Sequence, residues 1–297
     1  MMHLYDFLIA PFADYGFMRR ALVACLALSL GCGPIGVFLV LRRMSLMGDA
    51  MSHAILPGAA VGFLVAGLSL WAMSAGGLVV GLAVALLAGI VSRATTIRED
   101  ASLAGFYLIS LALGVLLVSL KGSNVDLLHV LFGTILAVDD ASLLLVAGIA
   151  TLSLLVLAVV YRPLVAECFD PVFLRAMGAG GSRYHILFLA LVVLNLVAGF
   201  QALGTLMAVG LMMLPAAAAR FWAAEVWSLS LAAGGIAFVS GFAGLLLSYH
   251  VNLPSGPAII LVAGFAYLAS ILLGARDGLI KRYFPAPHRH HVPEAAP

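Results

Sequence analysis

Long apolar stretches separated by short charged connections dominate the chain. No Asp, Glu, Lys or Arg occurs within residues 21–41, 50–92, 101–120, 141–161, 184–219 and 226–275. A helix that crosses the hydrocarbon core of a bilayer needs about 20 mostly apolar residues. At that length the six stretches hold one, two, one, one, two and two spans, which predicts an all-α polytopic membrane protein with about nine transmembrane helices.

The stretch 184–219 leaves almost no room for a turn between two helices of about 18 residues each. We expect its break at Gly199-Phe200-Gln201, and eight spans with a re-entrant segment are the alternative. Pro57, Pro215 and Pro254 predict further breaks or kinks. Backbone groups freed at such breaks are tolerated against protein or water, so these prolines are candidate gates.

The composition supports a membrane protein and excludes several classes. Hydrophobic residues make up 64% and charged residues 9%, against about 45–50% and 25% in soluble domains. A net charge of +2 without a basic stripe gives no indication of nucleic-acid binding. Nucleophile elbow, HExxH, P-loop and CxxC motifs are absent, which argues against an enzyme and against ATP hydrolysis by this chain.

No connection is long enough for a second folded domain. We expect an N-terminal interfacial segment over 1–18, one transmembrane domain over 19–280, and a disordered tail rich in His and Pro over 281–297. Lys and Arg concentrate on the cytoplasmic side of membrane proteins. With nine spans and the N-terminus outside, three basic residues lie outside and twelve inside, including those of the C-terminal tail.

The inner connection 162–183 contains a second structural signal. Asp170 before Pro171 is a good helix start and Gly178 a good stop. The pattern predicts a helix of about two turns on the inner face, either a plain connector or a contact for a partner protein.

Asp49 and His53 begin the second span, four residues apart. At that spacing both side chains lie on one face of a helix and can contact one cation. Ionisable groups within spans are expensive and often line a path, and an Asp–His pair suits zinc, manganese or iron. The alternatives are a helix cap with a buried pair and, for Met44, Met47 and Met51, an apolar seam in preference to a copper site.

The remaining polar residues have simpler interpretations. Glu99-Asp100 and Asp139-Asp140 precede apolar runs and are expected to cap helices. His129 and His250 are expected to be solvated or packed. The three cysteines are interpreted as packing residues, and the tail histidines His288, His290 and His291 as disordered or metal-binding.

One segment, Leu41 to Gly62, resembles the signature of the zinc/manganese/iron ABC transporter permease family, through Arg-Arg-Met-Ser-Leu-Met-Gly-Asp-Ala-Met-Ser-His-Ala-Ile-Leu-Pro-Gly. Further similar segments lie in the family's order across residues 19–275: Arg98-Glu99-Asp100-Ala101, Leu131-Phe132-Gly133-Thr134-Ile135-Leu136, Phe169-Asp170-Pro171, Gly204-Thr205, Leu214-Pro215-Ala216 and Leu253-Pro254-Ser255-Gly256.

The resemblance implies a type II-like importer permease in a prokaryotic inner membrane, with no permanently bound cofactor. It implies a second copy around a central path, two cytosolic ATPase subunits and an extracytoplasmic metal-binding protein. The inner loop would be the coupling helix, with Glu167, Asp170, Arg175 and Gly178 at the ATPase contact. Asp49 and His53 match the family's motif, where they are candidates for transient contact with the transported metal. The His-rich tail favours zinc as that metal. An ion-driven secondary transporter is the alternative.

Overall fold

A computed structural model describes residues 2–67, 69–120, 138–170, 181–276 and 278–283. In these ranges the chain forms helices without any strand: α1 (Met2–Leu8), α2 (Ala10–Asp14), α3 (Gly16–Leu41), α4 (Met47–Ala66), α5 (Leu70–Ala94), α6 (Glu99–Leu120), α7 (Asp140–Phe169), α8 (Gly181–Leu203), α9 (Thr205–Ala219), α10 (Val226–Val251), α11 (Ser255–Leu273) and α12 (Leu279–Tyr283).

Eight of the described helices, α3 to α8, α10 and α11, contain stretches long and apolar enough to cross a membrane. The predicted all-α membrane fold is therefore confirmed. The ninth predicted span corresponds to α9, which has only 15 residues, or about 22 Å at 1.5 Å per residue. It is too short for a full crossing of the roughly 30 Å hydrocarbon core.

Contacts between α3 and α7 define the two ends of the helix bundle. Arg20 contacts Asp140 near the start of both helices, and Arg42 contacts Glu167 where both finish. The two helices are therefore parallel. We call the end with Arg42 the basic end, because the described arginines of the helix connections gather there, together with Lys281 of α12: Arg42, Arg43, Arg98, Arg220 and Arg276.

The helices α8 and α9 form a tight hairpin that starts and finishes at the basic end. Gly199 of α8 lies against Ala208 of α9, and Gly36 of α3 lies against Ala216, so α9 runs back toward the end from which α8 came. Between them the only non-helical residue is Gly204, with φ +84°. Gly204 follows His185 by 19 residues, which places the turn about 28 Å from the basic end.

The break in the stretch 184–219 therefore falls later than the predicted Gly199-Phe200-Gln201. Gly199 is inside α8, where the missing side chain allows close contact with Ala208. Gly204 is the residue that must adopt a positive φ, which glycine does without strain. Sequence alone did not distinguish a glycine that permits close packing from one that permits a turn.

Replacing Gly204 by alanine is expected to destabilise the protein by about 1–3 kcal/mol, because an L-residue is strained at this φ and ψ. The measurement is thermal unfolding of the purified protein in lipid nanodiscs. Gly264→Ala is the matched control, since Gly264 is helical and nothing lies within 4 Å of an added Cβ. Equal melting temperatures for both variants would contradict the assigned turn.

The three candidate gate prolines lie within or just before helices, and their role as gates stays a prediction. Pro57 lies inside α4 and Pro215 inside α9, and both helices continue through them. Pro254 is the residue that precedes α11, where it fixes the entry of the chain into the helix. Buried neighbours keep the two internal prolines helical, although each removes one backbone hydrogen bond.

The connection predicted over 162–183 is shorter in the structure. The helix α7 continues through Pro163 to Phe169, and α8 begins at Gly181. Fully buried Leu164 packs the last part of α7 against the bundle, which offsets the hydrogen bond lost at Pro163.

At the other end of α7 the carboxylate of Asp139 accepts a hydrogen bond from the backbone N–H of Ser142. This confirms the predicted cap, and hydrogen bonding to Ser142 lowers the pKa of Asp139.

The N-terminal segment forms the short helices α1 and α2 and then enters α3 at Gly16. The Phe12 ring stacks on Phe242 of α10 with 5.2 Å between ring centroids. Tyr5, Phe7 and Ile9 expose about half of their surface. Exposed aromatic and apolar side chains suit the interface of a membrane, and the interfacial location of residues 1–18 stays a prediction.

Candidate metal site

A five-residue connection turns the chain from α3 into the helix that contains the candidate metal ligands. The N–H of Arg43 donates to the carbonyl of Val40 and the N–H of Met44 to that of Leu39. Arg43 has φ +59°. This pair of bonds around a left-handed residue is a Schellman motif, which fixes how α3 ends. Because the connection is short and hydrogen-bonded, α4 has a defined start relative to α3.

The second turn of α4 packs against α6. His53 faces Tyr107 of α6, with 6.4 Å between ring centroids, and the Ser110 hydroxyl donates to the carbonyl of Ala54. Tyr107 follows the first residue of α6, Glu99, by eight residues. At 1.5 Å per residue this places His53 about 12 Å along α6 from the basic end.

Asp49 and His53 lie together on one face of α4, as the spacing predicted. The His53 Nε2 atom is 3.8 Å from Asp49 Oδ1. Two ligand atoms about 2.1 Å from one metal ion are separated by about 3 to 4 Å, so both side chains can reach one ion. The side chain of Asp49 is 67% exposed and that of His53 33%.

The pair contributes two ligands and no more. No group of three His, Cys, Asp or Glu side chains able to hold a metal ion occurs among the described residues. The buried Nδ1 atom of His53 also finds no hydrogen-bond partner in that part of the chain. A closed four-ligand structural site is therefore not formed by the described chain on its own.

The opposite face of α4 is packed, whereas the face with the pair is only partly covered, by Tyr107 beside His53. Gly58 and Gly62 lie against the backbone of α5, and Met51 and Ile55 are buried in the core. The partly covered stripe of α4 begins at the pair and continues at helical spacing through residues that are partly or largely exposed: Asp49, His53, Leu56, Ala60 and Leu64. Two polar ligands therefore begin an otherwise apolar stripe.

Pro57 changes the backbone beside the pair. A proline lacks the N–H that would bind the carbonyl four residues earlier, and in α4 that carbonyl belongs to His53. Pro57 itself is buried against Gly114 of α6. His53 therefore offers a carbonyl oxygen without its usual helical donor, in addition to its imidazole.

Comparison with known proteins identifies the family. A family model described as "ABC 3 transport family" matches residues 14–274. The chain belongs to this family of ABC permeases. Its members are multi-pass transport subunits of bacterial metal importers, and a separate subunit hydrolyses ATP.

The permease is similar to named relatives over nearly its whole length. It is 34% identical over 274 residues to the manganese import system permease protein ScaB of Streptococcus parasanguinis, covering 91% of this chain and 96% of the relative. It is 28% identical over 293 residues to the chelated iron transport system membrane protein YfeC of Yersinia pestis, covering 98% of each.

A solved structure shares the fold of the permease. The structure described as PsaBC from Streptococcus pneumoniae in complex with Fab superposes with a TM-score of 0.82 at 31% sequence identity, covering 95% of this chain and 100% of that one. An importer subunit of this family needs an ATPase and a substrate-binding partner.

Two of the predicted ATPase-contact residues lie in the described part of the permease. Glu167 is in the last turn of α7, where its Oε2 atom is 2.8 Å from Arg42 Nη2. Asp170 ends α7, and its N–H donates to the carbonyl of Ala166. Arg175 and Gly178, with the predicted coupling helix, lie outside the described residues. The roles of all four stay predictions.

The contacts of the Arg42 side chain were not predicted from the sequence. Arg42 Nη1 lies 3.0 Å from His185 Nδ1, and its Nε donates to Cys168 Sγ at 3.4 Å. Cys168 is therefore more than a packing residue, in contrast to the fully buried Cys25 and Cys32. Glu167 and His185 are separated from Arg42 by 125 and 143 positions, so no local pattern indicates that they meet.

The remaining candidates have structural explanations or fall outside the described residues. Met47 and Met51 are buried in the core, in agreement with the apolar seam and not with a copper site. The His250 ring stacks on Phe7 at 4.2 Å and its Nε2 is 3.0 Å from the carbonyl of Phe7, so this histidine is packed as expected. His129 and the tail histidines lie outside the described residues.

Proposed function

We propose that this permease imports manganese, with Asp49 and His53 as transient ligands of the ion. The observation that carries the proposal is the pair itself, an oxygen and a nitrogen ligand 3.8 Å apart on a partly covered helix face. Carboxylate and imidazole ligands suit manganese and iron as well as zinc, so the choice of manganese comes from the relatives. Their names point toward manganese and, for one of them, chelated iron. Zinc, expected from the His-rich tail, has no support among them.

A second copy of the chain would complete the coordination. One copy supplies two ligands, and two copies that face each other across the stripe of α4 would supply four. The exposed position of Asp49 supports this arrangement, because a carboxylate at the start of a membrane helix, about one turn from His53, needs a polar neighbour or water.

We place the basic end in the cytoplasm, since Lys and Arg concentrate on that side of membrane proteins. The ATPase subunits would then dock at the segment between α7 and α8, with Asp170, Arg175 and Gly178 at the contact. The extracytoplasmic binding protein would deliver manganese at the opposite end. Approach of the ATPases would rock the helices and open the path to one side at a time.

The proposal predicts ATP-dependent manganese uptake by proteoliposomes that contain the permease, its ATPase and its binding protein. Uptake should require ATP, persist without an ion gradient, and be inhibited by excess manganese more strongly than by excess zinc. Stronger inhibition by iron would indicate iron as the substrate. Uptake driven by an ion gradient without ATP would support a secondary transporter and contradict the proposal.

A further inference from the structure

The guanidinium of Arg42 joins three chain segments at the basic end. It makes an ion pair with Glu167 of α7 at 2.8 Å and contacts His185 of α8 at 3.0 Å and Cys168 at 3.4 Å. It also stands over the Phe188 ring, with 4.5 Å from Cζ to the ring centroid. We call these five residues the Arg42 cluster.

The Arg42 cluster differs from an ordinary surface ion pair in its burial. The side chain of Arg42 is 8% exposed, and those of Glu167 and His185 are each 12% exposed. Exposed pairs are screened and contribute little, whereas the planar fork of a buried arginine fixes the geometry of its partners. Because arginine only donates hydrogen bonds, the Nδ1 atom of His185 must accept. The cluster is therefore specific in both charge and orientation.

The segments that meet in the Arg42 cluster continue to the proposed ATPase contact on one side and to the ligand pair on the other. Glu167 and Cys168 are followed within three residues by Asp170, where α7 ends, and His185 lies in the first turns of α8. The cluster thus holds both sides of the segment 171–180. Arg42 itself begins the hydrogen-bonded connection that leads to Asp49, seven residues later.

We propose that Arg42 is a positioning residue that transmits displacement of the ends of α7 and α8 to the Asp49–His53 pair. This inference rests on the proposed function. When the ATPases displace the ends of α7 and α8, the buried ion pair makes the end of α3 follow. The Schellman turn passes the displacement to the start of α4, so the ligand pair moves with the ATPases. In this assignment Glu167 acts inside the permease, because its carboxylate is already bound by Arg42.

The experiment measures manganese ions transported per ATP hydrolysed, in proteoliposomes that contain the full transporter. Arg42→Gln and Glu167→Gln keep the size of each side chain but remove one charge, and Arg42→Lys keeps the charge without the fork. Arg98→Gln is the matched control, since Arg98 lies at the same end in an exposed pair with Asp100 at 3.8 Å. Co-purification of the ATPase and the melting temperature are recorded for each variant.

We expect Arg42→Gln and Glu167→Gln to lower transport per ATP at least about fivefold, the range of a typical coupling free energy. The ATPase should stay bound and active, and the KM for manganese should be unchanged because the ligands are intact. Arg42→Lys should be intermediate and Arg98→Gln normal.

Unchanged transport per ATP in both Gln variants would overturn the inference. A parallel loss of uptake, ATP hydrolysis and melting temperature would also overturn it, because the cluster would then be merely structural. A wild-type transporter without ATP-dependent uptake would contradict the proposed function instead, whatever the variants do.

Discussion

Replacing Asp49 by asparagine is expected to reduce manganese uptake by roughly 10- to 100-fold, the loss typical when a metal environment loses one directed interaction. Asparagine has nearly the same shape, so packing of α4 is retained while the anionic oxygen 3.8 Å from His53 Nε2 is lost. His53→Gln should have a similar effect, because it removes the nitrogen ligand. Uptake of radiolabelled manganese at subsaturating concentration measures both.

Asp100→Asn is the matched control for this experiment. Asp100 is also an exposed carboxylate in the first turn of a helix at the same end, and it pairs with Arg98. Because it lies in the first turn of α6 and not beside Tyr107, we expect normal uptake. Equal uptake by Asp49→Asn, His53→Gln and the wild type, with equal amounts in the membrane, would remove the pair from the transport path.

Replacing Gly58 by alanine is expected to lower the free energy of unfolding by about 1–3 kcal/mol, the usual cost of overpacking. An added Cβ would meet the backbone of Gly76 and Gly77 in α5, and backbone cannot rotate away as a flexible side chain can. Glycines at such positions let membrane helices approach closely. Thermal unfolding in nanodiscs should show a melting temperature lower by about 5 °C.

Gly89→Ala provides the comparison within α5. Nothing lies within 4 Å of a Cβ added to Gly89, and alanine is the better helix former by about 1 kcal/mol. We therefore expect an equal or higher melting temperature for Gly89→Ala. A similar loss in both variants would mean that the close contact of α4 and α5 does not limit stability.

Most of the fold was predictable because the bilayer imposes one rule on every span. Stretches without charge correspond to the long helices, and the i, i+4 spacing correctly placed Asp49 and His53 on one face. What could not be predicted depends on contacts distant in sequence. The extension of α7 past Pro163 depends on the burial of Leu164 in the bundle, and the Arg42 cluster joins residues more than 120 positions apart.

The hairpin of α8 and α9 has a consequence for the sidedness of the chain. Eight long helices are an even number, and an even number of crossings would leave both termini on the same side. Because α9 returns the chain to the end at which α8 began, the pair adds no net crossing, and the start of α3 and the end of α11 lie at opposite ends of the bundle. Tags fused to the two termini should therefore be accessible to impermeant reagents from opposite compartments.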